Sequence, residues 1–347
     1  MTTPNRRAWI EYASRTMVKS PLYSTLYASM QQDQEMLALL DAVREDQPPP
    51  VTFFMVVNYL VFSHLEHPFA LSYPYLCKQR PYPLSEAYSH FKDFCQVHHE
   101  ELQALLPDAI LQTNEVARCS NLLPAFNVVS SLENRRPLAF IELGASAGLN
   151  LLWPHYEYHY RNEQTCFSLG SSPVKLDCKL RGSHSPQFFS EIPPIASCSG
   201  IELKPLDYNT DEGRRWLKAA IWPEELDRYQ HLDAAITLAR KIPPMLFTGD
   251  ASELLPELLT SIPTDQTVCL WHSYALNQGP ASVRECIEQQ IIAASDSRSI
   301  YRISLESNPA KSGELSALEL STYKSGALQH QEILAHCSVH GEYMEWM

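Results

Sequence analysis

The chain has 347 residues, 45% of them apolar and 19% charged, the balance of a globular protein with a sizeable core rather than of a disordered one. Its 27 basic and 40 acidic side chains leave a net charge of −13, a field that repels phosphate backbones and disfavours a dedicated nucleic-acid binder. Nine cysteines with no CxxC pair and no regular spacing are the usage of a reducing compartment; they argue against a disulfide framework and a zinc ribbon, and no metal is expected.

The opening MTTPNRRAWIEYASR lacks the apolar core of a signal peptide. The most apolar segment, Val51 to Phe62, contains Asn58 and is too short to span a bilayer. A soluble cytoplasmic protein with no membrane partner is expected. All 11 glycines fall at or after Gly144, so the preceding stretch has few of the tight turns that hairpins and βα units favour. It has helical periodicity instead. After Pro21, the residues Tyr23, Leu26, Tyr27, Met30, Leu37 and Leu40 recur at helical spacing until Pro48-Pro49-Pro50. Val51 to Leu65 reads as a buried helix, and Pro68 to Pro83 as an irregular connection. The aromatics of that connection, Tyr73 to Tyr82, either pack it or line an apolar cleft. Further helices are predicted at about 85–106 and 114–132. Residues 1–136 are thus expected to form a helical N-terminal cap or domain, with His98-His99 on an exposed helix face.

At Pro137 the pattern changes. PLAFIELGASAGLNLL, ending at Leu152, reads as a strand, a small-residue turn and the opening of a helix, the arrangement by which an α/β sheet offers a helix N-terminus to a ligand. Period-2 alternation at Tyr156–Tyr160 and Pro173–Leu180 predicts a β-hairpin inserted at about 156–185. Strands are predicted at 195–203, 245–248, 267–271, 300–305 and 333–338, with a last one near Tyr343. Helices are predicted at 224–240, 252–259 and 282–294. The helix at 224–240 would turn Tyr229, Leu232, Ile236 and Ala239 inward. The alternation predicts an α/β, Rossmann-like, mostly parallel sheet of about seven strands over 137–347.

Several chemistries compete for the turn at Gly144. As GxSxG it would be a nucleophile elbow, with Ser146 as nucleophile and Asp250 and a later histidine (His272, His330, His336 or His340) as partners. An elbow normally follows earlier strands, one of whose loops supplies an oxyanion N–H, and nothing upstream reads as strand. As a dinucleotide motif the turn fails, because Leu149 stands where GxGxxG needs its third glycine. No P-loop follows the turn either. The third reading is the first motif of S-adenosylmethionine-dependent methyltransferases: an acid, Glu142, two residues before Gly144, with small residues Ser146 and Gly148 following and Asn150 closing the turn. Glu202, in Gly200-Ile-Glu-Leu-Lys-Pro205, resembles the acid that ends the next strand and holds ribose hydroxyls. Asp250 and Ala251 resemble the adenine-contacting third motif, and Trp271-His-Ser-Tyr274 stands at the fourth.

Gln112-Thr-Asn-Glu115, Arg118, the Glu142–Asn150 turn, the 200–207 segment, Arg215-Trp216, Trp222-Pro223 and Gly249-Asp250-Ala251 together resemble domain-of-unknown-function family 2332, a bacterial family, over nearly the whole chain. The resemblance implies a class I methyltransferase-like domain behind a helical region and implies no substrate. Glu202 stands where aspartate is the expected residue. The function expected is S-adenosylmethionine-dependent methylation of a small-molecule acceptor. The alternatives are a hydrolase using Ser146 and a non-catalytic nucleotide- or ligand-binding protein on the same fold. His272, leaving a strand at the fourth motif, is the first candidate for base or orienter, against the plainer reading of a histidine satisfied by backbone groups. Glu115 and Tyr274 join it as catalytic candidates. Gln112, Asn114 and Arg118 are candidate acceptor contacts, although Asn114 and Glu115 would equally serve as helix caps. His155 and His159 read as solvated strand histidines, not metal ligands.

Overall fold

The computed structural model describes residues 13, 17–77, 83–164, 166–307 and 315–347; Tyr82, at the end of the aromatic connection, lies outside them. The chain divides into two compact units, Met1–Thr113 with Leu206–Gln230, and Asn114–Pro205 with His231–Met347. These units do not coincide with a division at 136/137.

The first unit is helical. Ser20 caps Pro21–Met30 by accepting the Tyr23 N–H, and Asp33 caps Gln34–Leu39 through the N–H groups of Glu35 and Met36. Pro49 begins the helix Pro49–Ser63, where its fixed φ and missing N–H suit the first turn. This helix is buried nearly all round. Its Phe53 and Phe54 meet Tyr23, stacked on Phe54 at 4.6 Å, and Phe91 from the helix Leu84–Val97. Tyr73 and Tyr75, from the connection, pack within the unit; Tyr75 stacks on Tyr229 at 4.6 Å. Asn58, the polar interruption of the apolar segment, is fully buried. Its amide donates to the carbonyls of Ala219 and Ile221, each at 3.0 Å, and its Oδ1 accepts from Tyr75 Oη at 2.8 Å. Glu224 accepts from Ser20 Oγ at 2.6 Å and from the Leu22 N–H at 2.8 Å. The bonds of the Asn58 amide and of Glu224, spanning 161 to 204 positions of the chain, tie 206–230 to the N-terminal helices. The single helix predicted over 85–106 is broken at His98 into Leu84–Val97 and His99–Leu105.

The second unit is built on one sheet of eleven strands: β1 Leu138–Leu143, β2 Glu157–Arg161, β3 Cys166–Leu169, β4 Lys175–Arg181, β5 Ile195–Glu202, β6 Leu246–Thr248, β7 Thr267–Ser273, β8 Ile300–Ser307, β9 Leu315–Lys324, β10 Ala327–Ser338 and β11 Tyr343–Trp346. Their order is β3-β2-β4-β11-β10-β9-β8-β7-β1-β5-β6. The sheet is mixed, which corrects the expectation of a mostly parallel sheet of about seven strands. β8, β7, β1, β5 and β6 run parallel; β9 and β10 are antiparallel, and β11 pairs antiparallel with β10 but parallel with β4. The insertion is present, but its two expected arms, β2 and β4, lie side by side in parallel and so form no hairpin. The antiparallel partner of β2 is the unpredicted short strand β3, and β4 carries the insertion into the same sheet.

The three strands of the insertion and β9 make up the larger count, and β9 and β10 bring in the antiparallel pairing beside β8. β9 was not predicted, and only the last residues of β10 were. Residues 327–333 of β10 are exposed on both faces, so no alternation marks them. The pair closes through Ser325 and Gly326, both at positive φ, as a two-residue hairpin turn requires.

In β1 the two faces of the sheet separate cleanly. Ala139, Ile141 and Leu143 pack with Leu255, Leu259, Ile287 and Ile291 of the helices Ala251–Ser261 and Ala281–Ala294. Phe140 points the other way, to Phe126 of the helix Cys119–Leu132 at 5.0 Å and to Trp153 at 5.2 Å; Phe126 also meets Trp271 of β7. The helix Cys119–Leu132 thus covers the sheet of its own unit. The helix expected after the turn is a 3-10 helix, Leu149–His155, with Pro154 inside it. Among the described residues no helix is long and apolar enough to cross a membrane.

Candidate functional site

The parallel strands grow outward from β1 in two directions, through β5 and β6 on one side and through β7 and β8 on the other. The crevice at the carboxyl ends of β1 and β7 is the switch point at which such sheets take ligands. The turn after β1 is set there by backbone geometry. Gly144 has φ +73° and Gly148 φ +75°, where side chains are rarely tolerated, and the Gly148 N–H closes the turn on the Ala145 carbonyl at 2.7 Å. A Cβ on Gly144 would lie 2.4 Å from that of Ala275, just beyond β7. Ser146 itself sits at φ +54°.

Three carboxylates end strands at this edge. Glu202, ending β5, reaches across to the turn and accepts the Ser146 N–H on Oε2 at 2.7 Å; its Oε1 takes the Lys204 N–H at 3.1 Å. Glu142, near the end of β1, is buried with Oε2 unpaired. Burial pushes its carboxyl well above the usual carboxylate range and the charge of Glu202 adds to this, while a hydrogen bond from Asn150 and the charge of Arg118 pull the other way. Glu306, in β8, accepts from His272 Nδ1 at 2.7 Å and from the Ala275 N–H at 3.1 Å, both on Oε1. Where Nδ1 is the donor in this contact, a neutral ring presents Nε2 as its acceptor.

A second group of side chains converges on the same edge from the segment before the helix Cys119–Leu132. Asn114 Oδ1 accepts the Leu149 N–H at 3.2 Å, supplying the cap that Gly148 cannot give the 3-10 helix. Glu115 caps Val116–Arg118 through the Ala117 N–H, and its Oε2 lies 3.4 Å from His340 Nδ1. Arg118 is buried; it donates from Nε to the Val339 carbonyl at 2.9 Å and from Nη1 to Ser273 Oγ at 3.4 Å, and its guanidinium lies 4.3 Å from the centre of the Tyr274 ring. Tyr274, at φ +53°, bonds Ser316 Oγ through its hydroxyl at 2.6 Å. Gly341 lets the 339–341 segment approach, since a Cβ there would fall 2.2 Å from the Ala117 carbonyl oxygen.

The switch point thus gathers Glu142, Gly144, Ser146, Gly148, Asn150, Glu202, His272 and Tyr274, with Asn114, Glu115 and Arg118 bonded to the same edge. Gln112 lies in the helical unit and is not part of this cluster. Asp250 spends Oδ1 on the Ser252 N–H and hydroxyl as the cap of Ala251–Ser261. Ser146 Oγ is buried without a hydrogen-bond partner, so the Ser146–Asp250–histidine triad is not assembled. His159 bonds Glu157 and Ser168 on the inserted strands. Sequence reasoning missed Glu306, Ser273 and the Val339 carbonyl. Glu306 carries the same signal as Glu142 and Glu202, an acid at the end of an apolar strand; the others are found only through their long-range bonds.

A family model described as an uncharacterized protein conserved in bacteria (DUF2332) matches residues 6–346. No curated protein and no solved structure matches the chain.

Proposed function

The chain belongs to the DUF2332 family, and we propose that it is an S-adenosylmethionine-dependent methyltransferase acting on a small-molecule acceptor. One observation carries the reading. Glu202, the acid ending the strand beside β1, is joined at 2.7 Å to the backbone N–H of the glycine turn that ends β1. An acid and a glycine turn locked together at a switch point suit a ligand with a ribose and a charged tail. The strand order β6-β5-β1-β7-β8 supports the reading, being the doubly wound 3-2-1-4-5 when the parallel strands are numbered in chain order. So do the buried polar atoms without partners around the turn, Glu142 Oε2, Ser146 Oγ and Asn150 Oδ1, which are groups awaiting a polar or cationic ligand.

The cofactor supplies an electrophilic methyl group on a sulfonium. Glu202 would hold ribose hydroxyls through the lone pairs that its two backbone donors leave. Glu142, kept protonated by burial, becomes the natural anion beside a bound cation. His272, with Nδ1–H given to Glu306, is oriented to take the acceptor's proton on Nε2, while Arg118 and Tyr274 form the adjoining wall.

Calorimetric titration of the whole chain with S-adenosylhomocysteine tests the reading. Saturable binding is expected, and Glu202→Gln should weaken it about 10-fold or more, the effect of losing a charge-assisted hydrogen bond. No binding at millimolar ligand would overturn it. The hydrolase reading is not favoured, because Ser146 Oγ has no base to activate it.

A further inference from the structure

The helical unit contains a second convergence of titratable side chains, independent of the methyltransferase reading. His64 follows the helix Pro49–Ser63 as its C-terminal cap residue. His98 occupies the joint between Leu84–Val97 and His99–Leu105, and Glu101 lies one turn into the latter helix. His98 was expected on an exposed face but is buried, because its ring packs on Phe94 at 4.5 Å between centroids. One ligand atom from each of His64, His98 and Glu101 lies within 4.8 Å of the other two. Glu101 Oε2 is 3.3 Å from His64 Nε2, and Oε1 is 2.7 Å from His98 Nδ1.

We propose that His64, His98 and Glu101 bind one Zn²⁺ ion, with water completing the coordination. Bonds of about 2.0–2.1 Å in a tetrahedral site put neighbouring ligand atoms roughly 3.3 Å apart. The two histidine–carboxylate contacts, 3.3 and 2.7 Å to the two oxygens of Glu101, bracket the close side of that spacing, and one ligand atom from each residue lies within 4.8 Å of the others. Two imidazoles and one carboxylate are a borderline donor set that suits Zn²⁺ better than the hard cations Mg²⁺ or Ca²⁺. Glu66 Oε1 lies 3.6 Å from His64 Nδ1, beyond hydrogen-bond distance but on the side of the ring away from Glu101. The His64 and His98 rings are 3.9 Å apart between centroids, tilted by 31°, with Phe94 beside both. A tetrahedral ion holding both rings sets their centroids roughly 5 Å apart, so binding opens the pair by about 1 Å. The carboxylate of Glu101, half exposed, leaves the fourth position on the solvent side. Binding would tie the end of Pro49–Ser63 to the joint at His98, two elements 34 positions apart in sequence, and no local spacing motif could have announced it.

The test titrates Zn²⁺ into the chelator-stripped full chain, with Co²⁺ as a spectroscopic probe. Nine cysteines are potential competitors, so the comparison is with the double variant His64→Ala/His98→Ala, which retains all of them. One Zn²⁺ equivalent should bind to the native chain, and its affinity should fall by more than about 100-fold in the double variant, beyond the loss typical of an outer-sphere change. The Co²⁺ form should show visible d–d absorption without a thiolate charge-transfer band. Glu101→Gln, nearly isosteric and half exposed, should weaken Zn²⁺ about 10-fold with the circular dichroism unchanged; it decides the matter if the double variant fails to fold. Equal Zn²⁺ affinity in the native chain and the folded variants, or a thiolate band in the Co²⁺ form, overturns the proposal.

Discussion

Asn58, at the centre of the helical unit, and Glu142, at the edge of the sheet, are both polar side chains removed from water. They have been treated differently by the fold. Asn58 has a partner for both ends of its amide: two carbonyls from the 206–230 segment and the hydroxyl of Tyr75. Glu142 keeps one oxygen with none, and its proton affinity is raised by burial and by a neighbouring acid. A satisfied buried polar group specifies which segments pack together, whereas an unsatisfied one beside a strained turn at a switch point is a candidate for ligand chemistry. The comparison therefore assigns architecture to one residue and function to the other, and substitutions separate the two.

The largest effect is expected at Asn58. Asn58→Ala orphans two buried carbonyls and a tyrosine hydroxyl and opens a small void, at a cost of about 3 kcal/mol. Urea denaturation should show a lower midpoint, while the surviving native protein binds S-adenosylhomocysteine as before. A stability unchanged by Asn58→Ala would break the comparison at its architectural end.

Glu142→Gln should act with the opposite sign. The native pKa of Glu142 lies above its ordinary value of 4.5, so the folded chain retains a proton that the unfolded chain releases. Between those two values native stability falls as pH rises, by up to about 1.4 kcal/mol per pH unit. Glutamine removes that slope and can keep the contact with Asn150. The variant should thus gain on the native chain as pH is raised through the range just above 4.5, with weaker cofactor binding. Unfolding midpoints measured across that range check it; parallel curves would show that Glu142 is not held protonated.

The same distinction explains what could be read from the sequence. The β1 strand and its glycine turn are a local signal: a contiguous apolar run and glycines at positive φ. The acids Glu142 and Glu202 follow from position within such runs. The assignment of 206–230 to the helical unit depends on Asn58 and Glu224, whose partners are far away in sequence and invisible to periodicity. The exposed half of β10 has no buried face to produce alternation, so only its end at 333–338 was legible. β9 was missed although its burial alternates, and with it the mixed character of the sheet. His98 was misjudged because its burial comes from Phe94 and its carboxylate partner, not from the polarity of the helix face. At the site, Glu306 carries the end-of-strand signal, but its bond to His272 follows only from β8 lying beside β7.

The smallest effect falls on Asn114, which tests where the boundary between the two classes runs. Its side chain was a candidate acceptor contact, yet Oδ1 accepts the Leu149 N–H just after the turn. That bond makes it a cap supplied from 35 positions upstream, so it belongs with Asn58 despite its place beside the site. Asn114→Ala should cost about 1 kcal/mol of stability, the usual value of a lost N-cap. Asn114→Asp, which keeps an acceptor, should recover most of it. Cofactor affinity should change less than about threefold, because a loss of that size frays the start of the 3-10 helix without moving Glu202 or the Ser146 N–H. A drop in affinity much larger than the loss of stability, not recovered by aspartate, would move Asn114 across the boundary and make its free amide a ligand contact.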